Sequence, residues 1–253
     1  MSLFARLSTI SRRRKLELFH ETMQPAPWMR VLDLGAEIES DTDDNLQLID
    51  RYPWKQNITA ANLDPERVQR ITERYPEVEA VVADALKLPW PDKYFDIVYS
   101  NAVIEHVGQL EDQKQMASEI MRVGKQWFVT TPNRWYPFEF HLRLPFVTWL
   151  PGDAYLKIGS VVRYSHVRRK YVMGMHCSGI RLMTAAELVA CFSGGQVIKQ
   201  RVTFMAETLI AVSGMQTAKE PSTLAVKERL QHAVRPQLAT PTSDQSAMPG
   251  TPG

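Results

Sequence analysis

Cysteine is nearly absent: Cys177 and Cys191 are the only two in 253 residues. That is too few for a disulfide scaffold or a four-cysteine metal site, and it suits a reduced, cytoplasmic setting. His176 beside Cys177 lacks metal-ligand spacing, so no metal is expected. Long apolar runs are missing as well, and none approaches the ~20 residues that a membrane span needs. Near the N-terminus, Arg6 interrupts the one apolar stretch before Arg12-Arg-Arg-Lys15, the wrong order for a secretory signal. Charge of one sign is not in excess either. The 30 Lys and Arg against 28 Asp and Glu leave a formal net charge of +2, which gives no argument for nucleic acid.

What the chain does have is a series of short apolar runs, each ending in a small or acidic residue. Arg30-Val-Leu-Asp-Leu-Gly-Ala36, Val81-Val-Ala-Asp84 and Tyr94-Phe-Asp-Ile-Val-Tyr-Ser-Asn101 read as buried parallel strands of an α/β sheet, and ligands bind outside the carboxyl ends of such strands. Strands are expected at 28–34, 58–62, 78–83, 94–100 and 126–131, with a closing pair at 196–203 and 207–212. Helices are expected over 9–23, 43–52, 65–74, 109–122 and 184–192. Pro65 stands at a first helical position, and Thr184 is a helix cap. The domain plan is an N-terminal helical segment (1–24), a main domain (25–217) and a tail (218–253) rich in Pro, Ser, Thr and Gln that is expected to be largely disordered. Residues 133–183 break the alternation and read as an aromatic and basic insertion covering the site. Strands alternating with helices imply a doubly wound, mostly parallel sheet, and its strand ends point to a nucleotide-like cofactor.

The combination of Asp84-Ala-Leu-Lys-Leu-Pro-Trp-Pro91, Phe95-Asp-Ile-Val98 and Ile104-Glu-His-Val107 resembles the class I S-adenosylmethionine-dependent methyltransferases, the small-molecule branch that includes the quinone C-methyltransferases. The resemblance covers residues 28–132 and, more weakly, 184–213. It implies a seven-stranded Rossmann-like sheet of order 3-2-1-4-5-7-6, S-adenosyl-L-methionine as cofactor, and methyl transfer to an O, N or C atom of a small or lipid-linked acceptor. By analogy, the cofactor would meet Asp33, Gly35 and Ala36 after the first strand, and Asn62, Leu63 and Asp64 after the second. Asp84, Ala85 and Leu86 follow the third strand, and Asn101 ends the fourth.

Two departures from the family pattern stand out. After the first strand the pattern is acidic-x-Gly-x-Gly-x-Gly, whereas this chain reads Asp33-Leu-Gly35-Ala-Glu37-Ile-Glu39, so only the first glycine is kept. The loop is expected to take another path, through Ser40-Asp-Thr-Asp43. The acidic residue that ends the second strand is replaced by Asn62, whose amide can accept one hydrogen bond and donate another; Asp64 is the alternative.

For proton removal from an acceptor, His106 and His141 are the base candidates, with structural histidines as the plain reading. Trp135, Tyr136, Phe138, Phe140, Phe146 and Trp149 read equally as a substrate lid and as a satellite core. Arg163, Arg168, Arg169, Lys170 and Arg181 form either a solvated face or one that meets phosphate or anionic lipid at the inner membrane face. Two other classes stay open: a non-catalytic module that kept the fold, and a protein-modifying or membrane-surface enzyme. The oligomeric state is open too.

Overall fold

The first two strands of the sheet, Val31–Leu34 and Ile58–Asn62, are short and buried along almost their whole length. The computed structural model describes residues 3–38, 46–139, 144–150, 154–165, 170–173 and 180–214. In chain order the elements begin with α1 (Leu3–Met23), β1 (Val31–Leu34), α2 (Leu48–Arg51), β2 (Ile58–Asn62), α3 (Pro65–Arg74) and β3 (Glu79–Val82). After these come β4 (Phe95–Asn101), α4 (Leu110–Val123) and β5 (Gly124–Pro132). The inserted segment carries β6 (Phe138–Glu139), β7 (Leu144–Pro145), α5 (Ala154–Val161), β8 (Val162–Ser165) and β9 (Lys170–Met173). Then α6 (Ala185–Cys191), β10 (Gly195–Arg201) and β11 (Ala206–Ser213) close the described chain.

One seven-stranded sheet runs β10-β11-β5-β4-β1-β2-β3. Strands β3, β2, β1, β4 and β5 pair in parallel, while β11 lies antiparallel to both β5 and β10. This is the order expected from the family resemblance. Alternation along each strand sends side chains to two cores. Leu32, Leu34 and Val98 join Met116, Ile120 and Leu188 on the side of α4 and α6. Val31, Ile97 and Tyr99 join Phe19, Ile49 and Ile71 on the other.

Helix α1 is longer than its sequence pattern suggested, and Leu16, Phe19 and Met23 anchor it in the core. Phe19 is fully buried and meets Tyr99 and Phe128 edge-on, with ring centroids 5.2 and 5.6 Å away. Burying such a ring typically accounts for about 2–3 kcal/mol. Opposite, the Leu88-Pro-Trp90 run is tied to α4 by Arg122. Its guanidinium donates to the carbonyls of Leu88 (2.9 Å) and Trp90 (2.7 Å) and to both carboxylate oxygens of Glu119. Glu119 in turn accepts from the backbone N–H of Leu88 at 2.8 Å.

Helix α3 begins as expected, with Pro65 at its start and the Asp64 side chain accepting from the Glu66 N–H. Helix α6 carries the expected Thr184 cap, in a reciprocal box with Glu187. The helix expected over 43–52 is, among the described residues, the single turn Leu48–Arg51. Asp43 and Asp44 lie outside the described residues, as do Glu39 to Asp41, His141, Phe140, Cys177 and the tail beyond 214. No described helix is long and apolar enough to cross a membrane.

Candidate active site

A cavity of about 1240 Å³ opens where β1, β2, β3 and β4 deliver their carboxyl ends. Of the residues expected there, Asp33, Gly35, Ala36, Asn62, Leu63, Asp84, Ala85, Leu86, Asn101 and His106 all line it. Asp64 does not. Its carboxylate caps α3 and lies 3.5 Å from the Arg67 guanidinium. Among the described residues no three His, Cys, Asp or Glu side chains cluster as metal ligands.

The loop after β1 is held by its neighbour strand. The N–H groups of Gly35 and Ala36 both donate to the Ala61 carbonyl, at 2.7 and 3.2 Å. The Asn62 amide nitrogen donates to the Ala36 carbonyl at 2.8 Å, and the Asn62 carbonyl oxygen accepts from the Asp64 N–H at 3.0 Å. Asn62 therefore ties β2 to the β1 loop and at the same time starts the turn into α3. A carboxylate could accept the Asp64 bond but could not donate to Ala36.

Gly35 is needed twice over. Its φ is +85°, and a Cβ there would stand 2.2 Å from a methyl of Val103. Among the described residues of this loop, Gly35 is the one with positive φ. Beyond it, Glu37 leaves the loop to pair with Arg67 of α3.

Asp33 lies at the cavity floor, 4% exposed. Burial, with the nearby Asp50 carboxylate adding to it, pushes its pKa up to about 7, against the pull of a hydrogen bond from the Ile49 N–H. Burial likewise drives the Tyr99 hydroxyl upward, with the Asp33 charge as the second cause. Across the cavity, Asp84 accepts from the Leu86 N–H at 2.9 Å, which shapes the turn after β3. Ala83, Ala85 and Leu86 add small apolar wall, and Leu63 stands 68% exposed at the rim.

At the end of β4 the Asn101 side-chain oxygen accepts from Lys15 Nζ and Thr130 Oγ1, each at 2.7 Å. The next residue, Ala102, has φ +58°, and its N–H donates to the Thr130 carbonyl at 3.0 Å. This left-handed step turns the chain sharply into the short 3₁₀ turn Ile104–His106. In that turn Glu105 is fully buried and accepts from Thr131 Oγ1 at 3.1 Å, while His106 is exposed at the cavity wall.

The residues that sequence reasoning missed come from far along the chain. Helix α1 supplies Leu7, Ser8, Ser11, Arg12 and Lys15 to the wall, and Glu207 of β11 accepts from Ser11 Oγ at 3.3 Å. The signal was present in α1, where positions 8, 11, 12 and 15 form one polar stripe at helical spacing, alongside the face that buries Leu16, Phe19 and Met23. Tyr136 and Phe138 of the insertion also face the cavity, whereas Trp135, Phe146 and Trp149 are exposed. The aromatic segment is thus partly wall and partly outer surface. Arg181 is no surface cation: it donates to the Gln113 carbonyl oxygen and pairs with Glu187.

Residues 42–127 match the family model described as a methyltransferase domain. A probable S-adenosylmethionine-dependent methyltransferase of Mycobacterium tuberculosis is 32% identical over 79 residues, covering 31% of this chain and 29% of that protein. A 2-methyl-6-phytyl-1,4-hydroquinone methyltransferase of Synechocystis is 31% identical over 112 residues, 43% of this chain and 33% of that one. The chain thus aligns with only about three-tenths of the length of these curated relatives. A crystal structure of a Pyrococcus horikoshii protein shares the fold, with TM-score 0.54 at 17% identity, over 85% of this chain and 92% of that chain.

Two outcomes are expected. Asn62→Asp, although it brings the chain nearer the family pattern, sets a carboxylate against the Ala36 carbonyl. It should weaken S-adenosylhomocysteine binding by roughly 1–3 kcal/mol; calorimetric titration checks this, and unchanged or tighter binding contradicts it. Asp33 releases its proton near 3.8 when unfolded but holds it to about 7 in the fold. Its contribution to stability is therefore complete below pH 4 and is lost as pH rises to 7, on the order of 4 kcal/mol in all. Denaturant midpoints across that interval should fall, and Asp33→Asn should flatten this slope.

Proposed function

We propose, from the premise that the chain carries a methyltransferase domain, that it is an S-adenosylmethionine-dependent methyltransferase acting on a small or lipid-linked acceptor. The observation that carries this reading is the cavity at the strand ends, whose donor set suits a nucleoside bearing an amino-acid tail. Its acidic and amide groups, Asp33, Asn62 and Asp84, alternate with a narrow apolar slot formed by Ala83, Ala85, Leu86 and the exposed Leu63.

In this reading Asp33 and the Gly35–Ala36 backbone hold the amino-acid end. Asn62 and Leu63 cover the ribose, with Asp64 acting indirectly by fixing the turn that carries them. Asp84 meets the adenine amino group, with Ala85 and Leu86 against the ring, and Asn101 faces the methyl-bearing end. When bound, the cofactor supplies a methyl group already activated by a sulfonium charge. The chain's own task is then mostly to align the acceptor and exclude water, and alignment alone can lower a barrier by ~7–11 kcal/mol.

Tyr136 and Phe138 give the acceptor side an apolar wall, while Arg12 and Lys15 of α1 give it positive charge. His106, at the cavity wall on the turn after β4, is placed to take a proton from an O, N or C nucleophile that must lose one. His141, the second base candidate, lies outside the described residues. A reducing, cytoplasmic setting goes with this reading, since Cys191 is a buried free thiol.

Titration with S-adenosylhomocysteine tests the proposal. The expected result is a saturable heat with one site per chain and, at about 100 times the dissociation constant, stabilisation by roughly 2.7 kcal/mol. No heat and no thermal stabilisation would leave a non-catalytic module that has kept only the fold.

A further inference from the structure

Three aromatic rings of the inserted segment stand in water. Trp135, Phe146 and Trp149 are 51%, 57% and 46% exposed, and they form one patch. The rings of Phe146 and Trp149 meet edge-on with centroids 5.0 Å apart, and the Trp149 indole N–H donates to the Trp135 carbonyl at 3.0 Å. The Arg134 guanidinium lies 5.8 Å from the Trp135 ring centroid.

Phe146 has φ +60°, a left-handed conformation that a bulky aromatic rarely adopts. The step is fixed by the Phe146 N–H donating to the Pro137 carbonyl at 2.6 Å. It divides the following 3₁₀ turn in two. Val147 packs inward with Leu182, and Thr148 donates to the Tyr136 carbonyl at 3.2 Å. Phe146, Trp149 and Leu150 are left outside. A turn that needed only a core contact would have no use for backbone strain that exposes a ring.

Charge says what the patch is for. Apart from the internally paired Arg181, residues 133–183 contain seven Lys and Arg against two Asp and Glu, whereas the whole chain is nearly balanced at 30 to 28. The rest of the molecule is therefore net acidic and this segment is strongly basic. Indole and phenyl rings within a basic stretch of sequence are the composition that settles at the headgroup level of an anionic bilayer. The same strand of chain that presents Trp135 outward turns Tyr136 and Phe138 into the cavity.

We infer that the Trp135–Phe146–Trp149 patch docks this protein on an anionic lipid surface, with the inner side of the same segment forming the acceptor wall. An acceptor anchored in that surface would pass from the bilayer to the cavity along one continuous aromatic strip. The docking itself does not depend on the cofactor, so it can fail while methyl transfer stands, and the reverse.

The test is sedimentation of the full chain, without cofactor, with phosphatidylcholine vesicles with or without about one-third phosphatidylglycerol. The inference expects pelleting with the anionic vesicles only, a loss of pelleting as salt is raised, and quenching of indole emission by brominated acyl chains. The double variant Phe146→Ser/Trp149→Ser should bind about tenfold more weakly with an unchanged circular dichroism spectrum. Should that variant fail to fold, quenching in the wild-type chain decides. Absence of pelleting overturns the inference, as does pelleting without quenching, full binding by a folded double variant, or a stable dimer whose formation buries these rings instead.

Discussion

The site depends on one short set of hydrogen bonds between the end of β2 and the loop leaving β1. Gly35 and Ala36 give both N–H groups to Ala61, and Asn62 gives its amide to Ala36. These bonds fix a loop that has only one glycine. In a loop rich in glycine the backbone can take positive φ at several positions; among the described residues of this loop Gly35 alone does so, where Val103 leaves no room for a Cβ. The price is that Asn62 must be an amide, since only a donor can reach the Ala36 carbonyl. The Asn62 amide and the Gly35 turn thus act on the same short stretch of backbone.

Around this brace the cavity is assembled from opposite ends of the chain. Phe19 seats α1 between Tyr99 and Phe128, and that placement brings Lys15 to Asn101 at the end of β4. Asn101 also receives Thr130 from β5, so the end of β4 is fixed from two directions. The left-handed Ala102 then redirects the chain, setting Glu105 inward and His106 outward on one turn. Buried acid at Asp33 and cationic groups on α1 give the cavity two chemically different walls.

Much of the fold was legible because strands buried on both faces read as apolar runs, and their order follows from the family resemblance. The ends of β1, β2, β3 and β4 were legible too, since each stops at a small or polar residue. What was not legible is the direction of particular polar atoms. Asn62 reads as a ligand group in the sequence, yet its amide hydrogen is engaged with Ala36. Asp64 stands two residues away and serves α3 as a cap. The contribution of α1 was hidden by distance: nothing local to Arg12 or Lys15 says that the helix lies against β4 and β5. The insertion was hard to place because its aromatic content fits a core and a surface equally well, and the two sides are separated only by backbone direction, between Trp135 and Tyr136 and again at Phe146.

Hydrogen exchange of the full chain with and without S-adenosylhomocysteine tests most directly whether the braced strand ends hold the cofactor. The account predicts that added ligand slows exchange at residues 33–37, 61–63 and 84–86 together, because one molecule spans all three strand ends. Exchange that stays unchanged at those segments, or slows only elsewhere in the chain, would contradict it.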